Sequence, residues 1–496
     1  MQQSKNNNYK SIIKSSAIFG GTQLFTILVN LIRGKVIAIF LGPAGMGVSA
    51  LLTNTTNMIQ QFSSCGVNLT AVKDISQAEA EQDKKMSGIL LNIRVLIFVL
   101  GFVGLLICLL FAGQFSQFTF GNDNYIFEFR LLSIFIFLTT MANGELSILQ
   151  GRKKFKKVAL GSVIGAVFGL LIGLPFYYYK GIYGIVPAML ALSLGTLAVN
   201  IYLNKDNFNF SFNKLNIIDF NNSSKRMISL GIVLMIAVLL GTFSTYLLNI
   251  FITRTGGIGD VGFFQSANSM TNQYVGLVFT AMSIDYLPRL AAISDDKLKT
   301  NELVNNQIEI VLLLVAPIVT GFMIFSSLAV KILLTSKFLM IVPLLNAMAL
   351  GAFFKAASYP LGYISFAKGD KKVFFWMEGV FGNFLQLSLN IIFYYYFGLK
   401  GLGYSFIIIY LIYLFIVSVV VYRRYQFKFE SSSIKLTLIL GLGCVSAFFI
   451  VSTVGNVFLK YALGTIGLII LSFFSFSELD KRISFMSILR SKFIKK

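Results

Sequence analysis

Histidine does not occur in this sequence, and cysteine occurs only three times. Without imidazole groups the chain lacks the side chain that titrates near neutral pH, so any proton relay must use carboxylates. No cluster of residues has the spacing of metal ligands, and we predict neither a metal site nor a cofactor. Cys65, Cys108 and Cys444 each lie inside an apolar segment. Their odd number and their setting argue against a disulfide framework and indicate small packing residues.

Charged residues are scarce as well. They make up 12% of the 496 residues, against about 25% in soluble domains, whereas 56% of the chain is apolar. Many apolar segments reach the length of about 20 residues that spans a bilayer. No G-x-x-x-x-G-K-[ST] phosphate loop occurs, so the chain does not itself hydrolyse ATP. The loops are too short for an enzyme domain, and the sequence predicts an all-α polytopic membrane protein that is not an enzyme.

The formal net charge of +22 raises the question of a nucleic-acid partner. The cations cluster in alternate loops, among them Arg152-Lys153-Lys154, Arg423-Arg424 and the tail from Lys481 to Lys496. Basic residues in membrane proteins concentrate on the cytoplasmic side. This bias accounts for most of the excess charge, so we predict no nucleic-acid partner and place both termini in the cytoplasm.

The hydropathy pattern predicts 14 transmembrane helices. An internal repeat organises them: residues 42–57 match residues 257–272, and FYYYKGIYG at 176–184 matches FYYYFGLKG at 393–401. Each half then holds six spans, and an even number preserves orientation, so the halves are parallel pseudo-symmetric bundles around a central cavity. The predicted spans are 14–41, 45–72, 87–112, 124–150, 158–178, 182–203, 226–252, 258–287, 306–330, 340–366, 373–396, 401–421, 436–455 and 457–476.

The repeat also divides the chain into domains. We predict an N-terminal six-helix bundle at 1–203, a cytoplasmic linker at 204–225 and a C-terminal six-helix bundle at 226–425. Residues 426–496 then contain two extra helices and a basic cytoplasmic tail.

Five cations lie within the predicted spans, where charge is costly and calls for a partner or a polar cavity: Arg33, Lys35, Arg94, Arg130 and Lys355. Arg94 and Arg130 lie within two turns of a span end, so their side chains can extend to the interface. Lys355 lies near the middle of its span, about 21 Å from the outer end, too far for its ammonium to reach water easily. Arg33 and Lys35 are about 200° apart on a helix, so only one of them can face a given cavity. Lys355 is therefore the strongest candidate for a functional residue, and Arg33 is preferred to Lys35 because a guanidinium can grip phosphate with two bonds.

Uncharged polar residues follow helical spacing in the second and eighth spans, which are partners in the repeat. These candidates for a cavity lining are Thr53, Asn57, Gln60, Gln265, Asn268 and Asn272. Such stripes can simply join helices, but their recurrence in both halves favours a water-filled cavity. Glu145, Asp285 and Glu378 lie toward the predicted cytoplasmic half. They are candidates for coupling transport to an ion gradient, and ion pairing with nearby basic residues remains the alternative.

Several segments resemble the O-antigen and enterobacterial common-antigen flippases, the polysaccharide branch of the multidrug/oligosaccharidyl-lipid/polysaccharide exporter superfamily. The resemblance covers most of residues 10–425 and is carried by IRGKVIAIFLGPAGMGV (32–48), ILQGRKKFKK (148–157), YLPRL (286–290) and ALGAFFKAASYPLGYISFAKGD (349–370). It implies two six-helix bundles around a cationic cavity, in which Arg33, Lys35 and Lys355 match basic positions of the family. It also implies a bacterial inner-membrane location.

The resemblance implies a flippase for an undecaprenyl-diphosphate-linked oligosaccharide, such as an O-antigen repeat unit of lipopolysaccharide. We expect Arg33 and Lys355, assisted by Lys35, to bind the diphosphate, the polar spans to hold the sugars, and membrane lipid to surround the prenyl tail. A polysaccharide polymerase is a candidate partner. The chief alternative is a cation-coupled multidrug antiporter, disfavoured because the deep charge is basic. A membrane glycosyltransferase or polymerase is disfavoured by the short loops.

Overall fold

The computed structural model describes residues 25–81, 86–207 and 217–483, with the side chains of residues 217–223 and of some positions in 233–285 left out. These ranges are almost wholly helical and contain no strand. They form two compact units that divide at Gly262.

The described part of unit 1 contains nine helices and the first turn of a tenth. The helices are α1 (25–40), α2 (Gly42–Ser64), α3 (Val67–Ala80), α4 (Met86–Leu110), α5 (Ala112–Phe120), α6 (Ile126–Gly151), α7 (Phe155–Lys180), α8 (Ile185–Leu203), α9 (Ile217–Gly256) and the start of α10 (Ile258–Ala292). Short 3₁₀ turns follow α7 at Gly181–Gly184 and α8 at Lys205–Asn207. The longest of these helices of unit 1, α9, packs on α2, α3 and α5.

Glycines on α7 allow it to pack closely on α8. They recur at every fourth position, and a β-carbon added to Gly161, Gly165 or Gly169 would meet Asn200, Thr196 or Leu192 of α8 in turn. The residue numbers of the contacts on α8 decrease as those of the glycines on α7 increase, so the two helices run antiparallel. A face of small residues of this kind lets helix backbones approach where lipid supplies no hydrophobic driving force.

The predicted second span, 45–72, is two helices in the structure. The backbone turns at Cys65 and Gly66, which both have left-handed φ angles, of 48° and 67°. A β-carbon at Gly66 would meet the carbonyl group of Gly231 on α9, and one at Gly231 would meet the carbonyl oxygen of Cys65. This break corrects the predicted boundary, because hydropathy alone does not reveal a turn between two apolar segments.

Unit 2 begins within α10. Its other elements are α11 (Lys297–Ile324), α12 (Ser326–Leu333), a 3₁₀ segment (Ser336–Ile341), α13 (Val342–Ala367), α14 (Lys371–Phe374), a π-helical segment (Phe375–Phe381), α15 (Gly382–Tyr425), α16 (Ser431–Thr453) and α17 (Val457–Ile483). The largely buried α13 packs on α11 and α15, and α16 and α17 pack on α11.

An ion pair anchors α17 to α11. Glu309 on α11 accepts hydrogen bonds from Arg482 Nε at 2.6 Å and from the Ser433 hydroxyl of α16 at 2.9 Å. The Glu309 side chain is only 6% exposed, so this network joins three helices through one buried carboxylate. The two helices beyond the predicted repeat are therefore integral to unit 2.

The matching segments of the sequence repeat share unusual backbone geometry. Gly181 and Gly398 both have positive φ angles, of 56° and 58°, where two helical legs meet. A β-carbon at Gly184 would meet the Phe176 carbonyl oxygen, and one at Gly401 would meet that of Phe393. Close backbone approach thus requires glycine at both places.

By length and composition, eight segments of the described chain can cross a membrane: Met86–Leu110, Ile126–Gly151, Phe155–Leu203, Lys297–Ile324, Ser336–Ala367, Lys371–Tyr425, Ser431–Thr453 and Val457–Arg482. Two of them, Phe155–Leu203 and Lys371–Tyr425, each contain two legs that meet at a glycine. Exposed tyrosines lie beside these bends, at Tyr178, Tyr179, Tyr395 and Tyr396, as is typical of aromatic belts at a membrane interface. The all-helical, multi-pass prediction is confirmed, while the count of 14 spans stays a prediction.

Candidate functional site

Lys355 lies midway along α13 and lines a cavity of about 550 Å³ in unit 2. Its ammonium lies 5.7 Å from the centre of the Phe279 ring and 5.4 Å from that of the Tyr410 ring. Ring faces attract a cation, most strongly where water is excluded. Among the side chains that the structure describes, no carboxylate forms an ion pair with Lys355. Aromatic rings therefore hold this cation in the cavity.

Tyrosines form much of the cavity wall around Lys355. The Tyr359 hydroxyl donates to the Phe279 carbonyl oxygen at 3.2 Å and lies 3.1 Å from the Tyr363 hydroxyl. The Phe279 and Tyr359 rings stack with centroids 4.9 Å apart. These tyrosines are not among the residues predicted from the sequence, although the spacing of Tyr359 and Tyr363 and of Tyr410 and Tyr413 places each pair on one helix face.

Glu378 enters the same cavity from the π-helical segment Phe375–Phe381. Its carboxylate is open to the cavity and accepts a hydrogen bond from the Tyr413 hydroxyl of α15. On α13, a β-carbon added at Gly362 would meet the Glu378 Oε1 atom. A π-helical turn inserts an extra residue and often marks a functional position. The structure thus brings Glu378 and Lys355, two of the predicted site residues, into one cavity.

A second cavity, of about 650 Å³, lies in unit 1, and the described residues that line it are uncharged. Asn57 and Gln60, both predicted from the sequence, line it, whereas Thr53 lies outside its wall. The remaining lining is amide, hydroxyl or small: Asn54, Gln61, Ser64, Asn68, Asn143, Val238, Gly241, Thr242 and Thr245. The sequence stripe on α2 therefore meets α9 and α6. The contribution of α9 went unnoticed because its polar residues are separated by apolar ones.

The polar residues predicted on α10 lie outside both cavities. Asn272 donates from Nδ2 to the Asn268 Oδ1 atom at 2.9 Å, and Asn272 itself is exposed. The Gln265 Oε1 atom is buried and accepts no hydrogen bond from the described residues. Their role as a cavity lining stays a prediction.

Arg33 and Lys35 lie on α1 of unit 1, and both are half-buried. Arg33 Nη2 donates to the Tyr177 hydroxyl at 3.4 Å, while Arg33 Nε is buried without a hydrogen bond from the described chain. Part of the guanidinium is thus without a protein acceptor. Because Arg33 and Lys35 lie in unit 1 and Lys355 in unit 2, their joint action on one ligand stays a prediction.

Glu145 is engaged in a network within unit 1. Arg94 donates two hydrogen bonds to its carboxylate, from Nε at 2.7 Å and from Nη2 at 3.0 Å, and Asn204 Nδ2 donates to Oε2 at 2.8 Å. The Arg94 and Glu145 side chains are only 12% and 9% exposed. At Glu145 the ion-pair alternative therefore matches the geometry. The side chain of Asp285, the third coupling candidate, lies outside the described residues.

Asp370 begins α14 just outside the spanning segments. Its carboxylate accepts from Arg424 Nε at 2.5 Å and from the Tyr425 hydroxyl at 2.9 Å. The hydrogen bond from Arg424 holds the pKa of the Asp370 carboxyl below its ordinary value. Asp370 therefore ties the start of α14 to the end of α15 and keeps its negative charge.

The helical architecture is that of a multi-pass membrane protein, and comparisons with solved structures show a shared fold. A structure of the lipid II flippase MurJ in an inward closed conformation matches 94% of this chain and 99% of its own, with a TM-score of 0.72 and 16% identity. An inward-facing multidrug transporter of the MATE family matches 81% of this chain and 94% of its own, with a TM-score of 0.68 and 16% identity.

Sequence comparison places the chain within that class. It belongs to the polysaccharide biosynthesis protein family, whose model matches residues 36–343. The lipid III flippase of Escherichia coli (strain K12) is 22% identical over 378 residues, which cover 74% of this chain and 88% of the relative. The resemblance predicted from the sequence is confirmed.

Proposed function

We propose that the protein is a flippase that moves an undecaprenyl-diphosphate-linked oligosaccharide from the cytoplasmic to the periplasmic leaflet by alternating access. The observation that carries this proposal is the Lys355 ammonium, which lines a cavity at mid-helix and is held by aromatic rings. An anionic ligand can supply the counter-charge. Relatives named as flippases of lipid II and lipid III support a lipid-linked substrate.

In this proposal Lys355, Arg33 and Lys35 bind the diphosphate. The ring contacts of Lys355 leave its ammonium hydrogens available to phosphate oxygens, and Arg33 Nε has no acceptor among the described residues. Hydrogen bonds between charged partners are roughly twice as strong as neutral ones and strengthen further in a low-dielectric site. The prenyl tail remains in membrane lipid.

An ion gradient or the membrane potential supplies the energy, and Glu378 is the preferred coupling residue. Its carboxylate is open to the cavity of Lys355, whereas Glu145 is already paired with Arg94. Asp285 remains a candidate on its sequence position alone. A change in the charge of Glu378 would alter the field at Lys355 and hence its grip on the diphosphate.

We further propose 14 spans in two pseudo-symmetric bundles, with both termini cytoplasmic in a bacterial inner membrane. The domains would be 1–203 and 226–425, joined by 204–225 and followed by 426–496. The paired glycine bends at Gly181 and Gly398 support the repeat. The concentration of basic residues in alternate loops supports the orientation. An O-antigen unit is the proposed cargo, and a polysaccharide polymerase a candidate partner.

Binding of polyprenyl diphosphate to the purified protein tests the assignment of Lys355. Lys355→Ala should weaken binding by about tenfold or more, because hydrogen bonds from a charged donor are lost. Lys355→Arg should retain part of the affinity, and Lys400→Ala, which alters an exposed lysine of unit 2, should retain all of it. Equal binding by Lys355→Ala and the unchanged protein would remove Lys355 from the site.

A multidrug antiporter is the second candidate, because the aromatic wall and Glu378 would also suit a lipophilic cation. The Lys355 ammonium already lies over the Phe279 and Tyr410 rings, and it would repel such a ligand. Cells that overproduce the protein should therefore gain no resistance to ethidium. Ethidium efflux that depends on the protein, without an effect on surface glycan, would favour the antiporter.

A further inference from the structure

The cavity of unit 1 differs in chemistry from the cavity of Lys355. No ionisable side chain lines it in the part of the chain that the structure describes. Its wall consists mainly of amide and hydroxyl groups contributed by α2, α3, α6 and α9, and its volume of about 650 Å³ lies within the range of small-molecule sites. A wall of this kind suits a neutral, hydrogen-bonding ligand and offers no counter-charge to a phosphate.

Two residues that line this cavity carry an amide donor without a partner in the described chain. The Asn54 Nδ2 and Gln60 Nε2 atoms are buried and form no hydrogen bond with the described residues. A buried donor without an acceptor costs about 1–3 kcal/mol. Native structures rarely retain such groups without a reason. Two of them at the wall of one cavity indicate that a ligand supplies the acceptors.

The threonine hydroxyls on α9, at the opposite wall, already donate their protons to backbone carbonyl oxygens. Thr242 donates to the Val238 carbonyl oxygen and Thr245 to that of Gly241, each at 3.0 Å. Their oxygens can still accept, because a hydroxyl has one proton and two lone pairs. The cavity thus presents amide donors on α2 and hydroxyl acceptors on α9. An acetamido group, with one carbonyl oxygen and one N–H, has both complements.

We infer that this cavity is a sugar subsite that selects an acetamido sugar: the Asn54 and Gln60 amides turn toward the ligand and donate to the acetamido carbonyl oxygen, and the hydroxyls of α9 accept from the ligand. The inference rests on the proposed function and deepens it: Lys355 binds the diphosphate, and the unit 1 cavity recognises the sugar. A sugar with a hydroxyl in place of the acetamido group would leave the amide donors unmet. Sites built to hydrogen-bond a group discriminate strongly against ligands that lack it.

Two soluble disaccharides test the subsite without the lipid. N,N′-Diacetylchitobiose, called chitobiose below, and cellobiose differ only in carrying acetamido or hydroxyl groups at the 2-position. Saturation-transfer NMR on the purified protein should show binding of chitobiose about tenfold tighter than that of cellobiose, or more, because cellobiose leaves both amide donors unmet. Equal binding of both sugars, or binding of neither, would overturn the subsite.

Substitutions of Asn54 and Gln60, compared with a control substitution, test whether these two residues cause the preference for chitobiose. Asn54→Asp and Gln60→Glu keep the shape and remove the amide donors, so each should reduce the preference for chitobiose severalfold. Gln114→Ala removes an exposed amide of the same unit outside this cavity, and it should leave the preference unchanged. If both acidic variants fold, as judged by monodisperse elution, and retain the full preference, the assignment of Asn54 and Gln60 is wrong. If either fails to fold, Asn54→Leu and Gln60→Met take their place with the same two outcomes.

The lipid-linked ligands separate this inference from the function on which it rests. Polyprenyl diphosphate without sugar should bind wild type and the Asn54 and Gln60 variants equally, and Lys355→Ala should weaken its binding. Chitobiose binding without any binding of polyprenyl diphosphate would overturn the proposed flippase and keep the sugar subsite. Binding of polyprenyl diphosphate that depends on Lys355, without discrimination between the two sugars, would overturn the sugar subsite and keep the proposed flippase.

Discussion

Gly362 provides the space that the Glu378 carboxylate occupies in the Lys355 cavity. A β-carbon at position 362 of α13 would lie about 2.6 Å from the Glu378 Oε1 atom, closer than real contacts allow. The Tyr413 hydroxyl holds the same carboxylate from α15. A glycine in one helix thus determines where an acidic side chain of another segment can lie, and no property of either residue alone reveals it.

The first prediction follows from this contact. Gly362→Ala should displace the Glu378 carboxylate and lower translocation of a fluorescent lipid-linked oligosaccharide in proteoliposomes severalfold, with normal protein abundance. Gly467→Ala, where a β-carbon meets no atom within 4 Å, is the matched control and should leave translocation unchanged. Glu378→Gln should lower translocation in the same way. Full activity in both Gly362→Ala and Glu378→Gln would exclude Glu378 from coupling.

The second prediction concerns the ion pair of Glu145. Glu145→Leu removes the carboxylate that accepts two hydrogen bonds from the buried Arg94 guanidinium. Loss of one partner of a buried pair costs several kcal/mol, so membrane abundance should fall sharply. The double variant Arg94→Leu/Glu145→Leu should recover abundance, because a buried pair can be replaced by apolar residues at little cost. Thermal melting of the purified variants measures both effects. A Glu145→Leu protein of normal abundance that fails to transport would instead support a coupling role.

The third prediction concerns a reciprocal contact between the starts of α2 and α10. A β-carbon at Gly47 would meet the Ile258 carbonyl oxygen, and one at Gly262 would meet that of Pro43. Overpacking of this kind costs about 1–3 kcal/mol. Gly47→Ala and Gly262→Ala should each lower the melting temperature by a few degrees.

Gly259→Ala provides the control for that contact, since a β-carbon at Gly259 has no atom within 4 Å. It should leave the melting temperature unchanged. Unaltered melting in Gly47→Ala and Gly262→Ala would show that the helices separate there without cost.

The fourth prediction concerns the attachment of α17. Arg482→Ala removes the partner of Glu309, which is 6% exposed, and should lower the melting temperature of the protein. Lys481→Ala, which removes an exposed partner of Glu478, should have little effect, because exposed ion pairs contribute about 0–1 kcal/mol. Equal melting of the two variants would mean that the Glu309 network does not hold α17 in place.

The sequence by itself determined the class of protein. Scarce charge and long apolar segments exclude a soluble fold, since the transfer of a segment into lipid depends on its own composition. The midspan position identified Lys355 for the same reason, because the cost of a charge depends on its depth in the span. The repeat at 42–57 and 257–272 also lies in the sequence, and positive φ angles at Gly42 and Gly257 accompany it.

Only the tertiary structure distinguished residues that the sequence could not separate. Glu145 and Glu378 were equal candidates by position, yet one is clamped by Arg94 and the other is open to the Lys355 cavity. The stripe on α2 predicted a polar cavity, but its opposite wall proved to be α9. Such partners lie far apart along the chain, and helix packing alone decides which side chains meet. Composition and periodicity describe one segment at a time, so the pairing of segments had to come from the fold.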